Sequence, residues 1–231
     1  MHIMEGFLPS PWWELWFVVS LPLIILGLHR LKEISDMRRD AIPLLAVAGA
    51  FIFVLSSLKL PSVTGSCSHP TGTGLAAILF GPVVTPVLCL IVLLYQALFL
   101  AHGGITTLGA NLFSMGIAGP MVGYSVYRLG CRVGANTYMT VFLAAALADV
   151  GTYLVTSAQL ALAFPAAEGG VIASLAVFGG IFALTQVPLA VIEGIVVALI
   201  FKYIISLRAD ILVKLDVLTK GRADALREAA E

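Results

Sequence analysis

Charged side chains are scarce: Asp, Glu, Lys and Arg make up 11% of the 231 residues, against about a quarter of an ordinary soluble domain. With 60% hydrophobic residues and a mean hydropathy of +1.03, the chain is excluded as a soluble globular domain and reads as a polytopic membrane protein. An excess of positive charge is also missing, since 13 Lys and Arg balance 13 Asp and Glu. No basic footprint exists to neutralise phosphates, and nucleic acid is excluded as a partner. Cysteine is rare: Cys67 in a loop, Cys89 in an apolar run and Cys131 in a basic loop are expected at different depths, which leaves no disulfide framework. H-E-x-x-H, G-x-x-x-x-G-K-[ST] and G-x-S-x-G are all absent, so no catalytic signature supports an enzyme. A chain that moves a solute against its gradient would therefore draw on an ATPase carried by another subunit. A secretory signal is lacking too, because the first Arg is Arg30, beyond the first apolar run. Met1 is accordingly expected to persist ahead of the bulky His2.

What is present is a succession of apolar runs, over residues 12–28, 41–58, 72–80, 83–101, 108–127, 137–164 and 171–205. A bilayer crossing takes about 20 residues. The first run carries Trp12, Trp13 and Trp16 where an interfacial aromatic belt belongs. The last is read as one helix kinked near Pro188 and projecting from the membrane. The run at 72–80 is short, and the topology turns on it. If it counts as a span there are seven helices, and Arg30, Lys32, Arg38, Arg39, Arg128, Arg132 and the six Lys/Arg from Lys202 onward share one side, leaving only Lys59 on the other. If it does not, everything after it inverts and the split becomes four against nine. The positive-inside rule selects the first arrangement. The expectation is an all-α integral membrane protein of seven transmembrane helices, the third short, with the N-terminus outside and the C-terminus cytoplasmic. It forms a single polytopic domain over 1–231: an N-terminal segment 1–11, a helix bundle 12–206 and a cytoplasmic, helical tail 207–231.

At ~1.5 Å per residue a helix this short covers about half of the hydrocarbon core. Its outer end must be sunk in the bundle, and the loop before it, residues 61–72, must dip inward to meet it. That predicts a pocket in the outer half with His69 on its wall. The terminal segment starts on the same side and reaches up to roughly 35 Å when extended, with Gly6 and Pro9 suited to a turn that folds it back.

The segment begins M-H-I-M-E-G. The amine of Met1, the backbone amide of His2 and its imidazole Nδ1 are three nitrogens in series, able to close two fused chelate rings on a tetragonal or square-planar metal such as nickel, copper or cobalt. Position alone favours the plainer alternative, that His2 is an ordinary surface residue. The predicted pocket changes the balance, because His69 would supply a fourth nitrogen. Of the four histidines, His102 also falls on the outer side and is a candidate axial ligand, outer partner or gate. His29 ends the first run and reads as a helix-terminal cation. Cys67 offers a thiolate that would favour softer ions, but is expected to point away from His69; it joins Ser68 and Asn111 as a candidate outer partner or gate. Gln96, Gln159 and Gln186 are further polar residues within spans that need an account, and Asp149 and Glu193 are read as interhelical hydrogen bonds or partner contacts ahead of metal ligands. Gly116, Gly119 and Gly123 are spaced for close packing, inside the chain or against a partner.

M-H-I-M-E-G-F-L-P, G-S-C-S-H-P-T-G-T-G-L, A-I-L-F-G-P and H-G-G-I-T-T-L-G-A-N-L-F-S-M-G together resemble the CbiM family, the cobalt substrate-binding membrane subunits of energy-coupling factor transporters, sister to the nickel subunits NikM. The resemblance implies that the N-terminus inserts into the bundle and that the ion is bound by the amine of Met1, the amide and imidazole of His2, and His69. It implies a transmembrane coupling subunit CbiQ, ATPase subunits CbiO and a small membrane protein CbiN as partners in a bacterial cytoplasmic membrane, with the transported Co2+ in place of any resident cofactor. Four nitrogens in a plane suit Ni2+ at least as well, so the preference for cobalt rests on resemblance. A membrane-embedded metalloenzyme is the rival from another class; it would need an open coordination position and an acid/base carboxylate, for which Glu5 is the nearby candidate.

Overall fold

The computed structural model describes residues 2–37, 39–62 and 65–228; Met1 and Arg38, both named above, lie outside the described residues, as do 63–64 and 229–231. In chain order the elements are β1 (His2–Ile3), α1 (Trp12–Met37), a 3-10 turn (Arg39–Ala41), α2 (Ile42–Ser57), β2 (Leu60–Pro61), β3 (Ser66–Ser68), α3 (Thr73–Phe80) and α4 (Thr85–Phe99). Then follow α5 (Leu108–Asn111), running through a π-helical stretch (Leu112–Ala118) into α6 (Gly119–Arg132), α7 (Thr137–Ala163), α8 (Gly170–Lys214) and α9 (Lys220–Glu228). Each of the seven apolar runs carries a helix. Three stretches, Trp12–Asp36, Thr137–Ala163 and Gly170–Lys214, are long and apolar enough to cross a membrane, while α2 and α4 are shorter apolar helices. Large apolar side chains stay exposed along them, among them Val18, Leu21 and Ile25 on α1 and Ile172, Leu184, Ile192 and Leu199 on α8. Such a surface needs lipid rather than water around it.

Proline near the first helical position starts α2, α4 and α6, where its missing N–H has no intrahelical acceptor to lose. The helix α3 lasts eight residues. It is bounded by Gly72 at φ 71° and by Gly81 at φ 84°, whose N–H donates to the Ala77 carbonyl at 2.9 Å. Every residue from 66 to 78 is buried, so the loop does dip into the bundle. Its backbone cannot rely on water there, and a small sheet supplies the partners. The strand β3 pairs antiparallel with β1 on one edge, His2 opposite Cys67, and with β2 on the other, Leu60 opposite Ser68. The all-α expectation thus describes the bundle, and this three-stranded sheet is an addition to it.

The core has two main parts. One lies among α1, α2, α4 and the Leu108–Met115 stretch, around Ile52, Leu93 and Met115; the other gathers α3, α6, α7, α8 and α9 around Val141, Phe201 and Leu212. The glycines of α6 allow its close contact with α7: a Cβ on Gly119 would lie 2.7 Å from the Ala148 carbonyl oxygen, and one on Gly123 2.7 Å from that of Ala144. Gly116 approaches Cys89 of α4 in the same way. Of the two partners open to this small-residue face, the one it meets is inside the chain.

Three local expectations change. The backbone of α8 departs from helical geometry at Arg208 (φ −144°, ψ 50°), not at Pro188. The helix α1 runs on to Met37, because the good helix formers Leu31, Lys32 and Glu33 continue past the apolar run; His29 is therefore an exposed mid-helix residue 3.4 Å from the Glu33 carboxylate. The tail turns after α8, and α9 docks back: Arg222 donates to the Ala135 carbonyl at 2.5 Å and to Thr137 Oγ1 at 3.0 Å, and the Tyr127 hydroxyl donates to the Val217 carbonyl at 2.8 Å.

Candidate metal centre

Gly6, at φ 70°, occupies the third position of a turn closed by the Phe7 N–H on the Met4 carbonyl at 3.2 Å, a conformation that favours glycine. The turn sends β1 back into the bundle, where two loops hold it. From one side Met4 N–H donates to the Gly65 carbonyl at 2.9 Å. From the other, Glu5 N–H donates to the Gly103 carbonyl at 3.1 Å and Gly6 N–H to Thr106 Oγ1 at 3.0 Å. Asn111 grips the peptide groups of Ile3 at both ends: its Oδ1 accepts from Ile3 N–H at 2.7 Å and its Nδ2 donates to the Ile3 carbonyl at 2.9 Å, which also accepts from Thr107 Oγ1 at 2.8 Å. Ile3 and Leu8 are buried against Ala110, Leu160 and Phe182. The residue next to His2 is therefore fixed by three side-chain hydrogen bonds and an apolar floor.

The opposing loop is fixed from α8 and α7. Gln186 Nε2 donates to the His69 carbonyl at 2.9 Å and to Asp149 Oδ1 at 2.7 Å. The Glu193 carboxylate accepts from Thr71 N–H at 2.5 Å, Thr71 Oγ1 at 2.9 Å and Gly72 N–H at 2.8 Å. Gln186 and Glu193 are two helical turns apart and share a face of α8. Asp149 and Glu193 thus make hydrogen bonds between elements, one of the two roles expected of them. Ser68 bonds Thr185 through the two hydroxyls at 2.8 Å, which points it toward α8 and away from the histidines.

Between these supports three imidazoles form a triangle, with ring centroids 4.4 Å apart for His2 and His69, 4.4 Å for His2 and His102, and 5.1 Å for His69 and His102. His2 Nδ1 lies 2.5 Å from His69 Nε2, and Cys67 Sγ lies 3.0 Å from His102 Nε2. One donor atom from each of the four residues falls within 4.8 Å of the others. His69 Nδ1 is 2.8 Å from the Pro70 carbonyl, which can only accept, so the proton is on Nδ1 and the lone pair on Nε2 faces His2. The proton between the two rings then belongs to His2 Nδ1. Donors bound to adjacent corners of a planar ion at ~2.0 Å stand about 2.8 Å apart, close to the spacing of this nitrogen pair.

All four side chains lie on strands and loops outside the helices, and burial sets their acid–base behaviour. It holds His2 and His69 well below the ordinary imidazole value, the neighbouring imidazoles adding to the effect, and pushes His102 down to about 4. The Cys67 thiol is pushed up by the same desolvation. Neutral imidazoles are the form a metal needs.

Of the residues picked out in the sequence, the fold brings together His2, His69, His102 and Cys67, uses Asn111 to hold β1 and turns Ser68 aside. Met1 lies outside the described residues. Cys67 points toward the cluster rather than away, because side chains two apart on a strand share a face. Sequence reasoning missed Thr107 and the grip of Glu193 on the His69 loop; the signal for Thr107 was its place one turn ahead of Asn111. Glu5, the carboxylate proposed for an enzyme, accepts from Thr106 N–H at 3.1 Å.

A family model described as CbiM, cobalt uptake substrate-specific transmembrane region, matches residues 2–211. The chain is 62% identical over 229 residues to the putative cobalt transport protein CbiM 1 of Methanosphaerula palustris, covering 99% of each chain. It is 55% identical over 236 residues to the putative fused cobalt transport protein CbiMQ of Methanocorpusculum labreanum, covering 100% of this chain and 39% of that one. Among solved structures, a truncated transition metal transporter is similar with a TM-score of 0.76 at 25% identity, over 88% of this chain and 98% of that one.

Proposed function

The chain belongs to the CbiM family, the cobalt uptake substrate-specific transmembrane region, and from that premise we propose that it captures Co2+ outside the cytoplasmic membrane for ATP-driven import by an energy-coupling factor transporter that feeds cobalamin biosynthesis. In this reading it crosses the membrane seven times, N-terminus outside and C-terminus inside. The amine of Met1, the amide and Nδ1 of His2 and Nε2 of His69 hold the ion. CbiQ couples it to CbiO ATPases, with CbiN as a further subunit. The fused CbiMQ relative supports the first of these associations, since there a cobalt transport chain continues into its own second part.

One observation carries the reading: His2 Nδ1 and His69 Nε2 are 2.5 Å apart in a buried pocket, one residue from the chain terminus. Ni2+ remains the alternative cargo, favoured by the planar four-nitrogen shell, which suits a d8 ion. The metalloenzyme reading is weaker, because the Glu5 carboxylate is engaged by the Thr106 backbone. The test is Co2+ uptake by vesicles carrying the complete transporter. His2→Ala and His69→Ala are each expected to abolish ATP-dependent uptake, and wild-type rates in either would remove the site assignment. Competition with Ni2+ in the same vesicles identifies the preferred ion.

A further inference from the structure

We propose that Cys67 and His102 join His2 and His69 in a second coordination mode of this pocket: a four-coordinate site of three imidazoles and one thiolate for a thiophilic divalent ion, Zn2+ above all, using no atom of the chain terminus. The inference goes beyond the cobalt reading and shares only His2 and His69 with it.

Four donor atoms, one from each residue, lie within 4.8 Å of one another, and all four residues are buried, with Cys67 the most exposed at 6%. A tetrahedral ion with metal–nitrogen bonds of about 2.0–2.1 Å and a metal–sulfur bond of about 2.3 Å sets its donors roughly 3.3–3.6 Å apart. The two observed pairs, at 2.5 and 3.0 Å, are shorter than that edge and the outer limit of the cluster is longer. An ion at the centre therefore requires the His2 and His69 nitrogens to part by roughly 0.8 Å and their lone pairs to turn toward it. A closed shell of histidine nitrogens and a cysteine sulfur is the donor set that zinc takes in preference to cobalt or nickel in a plane.

The pocket has the access such a site needs. Cys67 and His102 line a cavity of about 260 Å³ together with Met4, Lys59 and Gly103, so an ion reaches the sulfur without unseating β1. The chemistry balances simply. The hydrated ion sheds its water, the Cys67 thiol loses its proton to solvent through the cavity, and His2 moves its proton from Nδ1 to Nε2, an atom without a hydrogen-bond partner among the described residues. One proton is released per ion. Because both modes use His2 and His69, they exclude each other, and zinc held here blocks capture of the cargo.

The experiment uses the purified full chain in detergent with the α-amine of Met1 acetylated, which removes the terminal amine ligand and leaves the four side chains. Titration against a chromophoric competitor is expected to show one Zn2+ bound per chain. Cys67→Ser in that background should weaken Zn2+ by more than ~100-fold, beyond what loss of an outer partner alone costs. Co2+ loaded into the acetylated chain should show thiolate-to-cobalt charge-transfer absorption, a readout that needs no substitution in the pocket. Zn2+ affinity unmoved by Cys67→Ser, or absence of that absorption, would overturn the proposal. The cobalt reading is decided separately, by uptake in the native-terminus protein, so either can fail alone.

Discussion

At the scale of single residues the chain reads well where chemistry is local and poorly where it depends on a distant partner. His2 and His69 stand out because one follows the terminus and the other sits in a loop that a short helix forces inward. The role of Asn111 is visible in the sequence only as nearness to His102; its two hydrogen bonds to Ile3, 108 residues away, have no sequence signature. They make a prediction. Asn111→Ala leaves the buried Ile3 N–H without a partner, which costs about 1–3 kcal/mol. Thermal unfolding in detergent should register that loss, and Co2+ affinity should fall with it, because β1 carries His2; a variant with unchanged affinity would separate the clamp from the site. The imidazoles give a pH dependence with a definite sign. Their folded pKa values lie below the unfolded value of about 6.5, so below that pH the unfolded chain binds more protons than the folded one. The metal-free protein should keep its stability above about 6.5 and lose it progressively toward 4, where His102 takes its proton in the folded state. Unfolding temperature measured from pH 7 to pH 4 checks this, and a flat profile would mean the rings are not buried as described.

Among elements, the helices other than α3 are legible because their apolar runs are long and bounded by Gly, Pro or charge, while the short run at 72–80 shows itself only through the charge balance it implies. The three-stranded sheet is not, since β1 pairs with residues some 65 positions away and strands of two or three residues carry no periodicity. Sequence places the departure in α8 at Pro188 because proline removes a helical hydrogen bond; α8 continues through it, and the break comes at Arg208. The element on which the site depends most is α8, whose Gln186 and Glu193 hold the loop that ends in α3. Glu193→Ala removes the acceptor for three donors of Thr71 and Gly72 and should destabilise the protein by at least about 1.5–3 kcal/mol, the range for a single hydrogen bond to a charged group. Metal titration should show weaker Co2+ binding as the His69 loop loosens. Wild-type affinity in a folded Glu193→Ala protein would show that α3 and the sheet position His69 without α8.

For the whole molecule, scarcity of charge establishes the membrane class, and counting the short run as a span gives the expectation that twelve of thirteen basic residues share one side. That expected orientation would put the N-terminal segment and the His69 loop at the same end of the bundle; in the fold β1 pairs with β3 of that loop. Packing of α9 against the 135–137 turn gives the opposite end an ordered surface rather than a loose tail. The central claim is that the chain's own terminus completes the metal shell beside His2 and His69. Co2+ binding by the purified protein, compared with the Met1 α-amine free and acetylated, tests it most directly. The account predicts that acetylation lowers Co2+ affinity by more than ~100-fold, the cost of losing a ligand rather than an outer partner; equal affinities in the two proteins would contradict it.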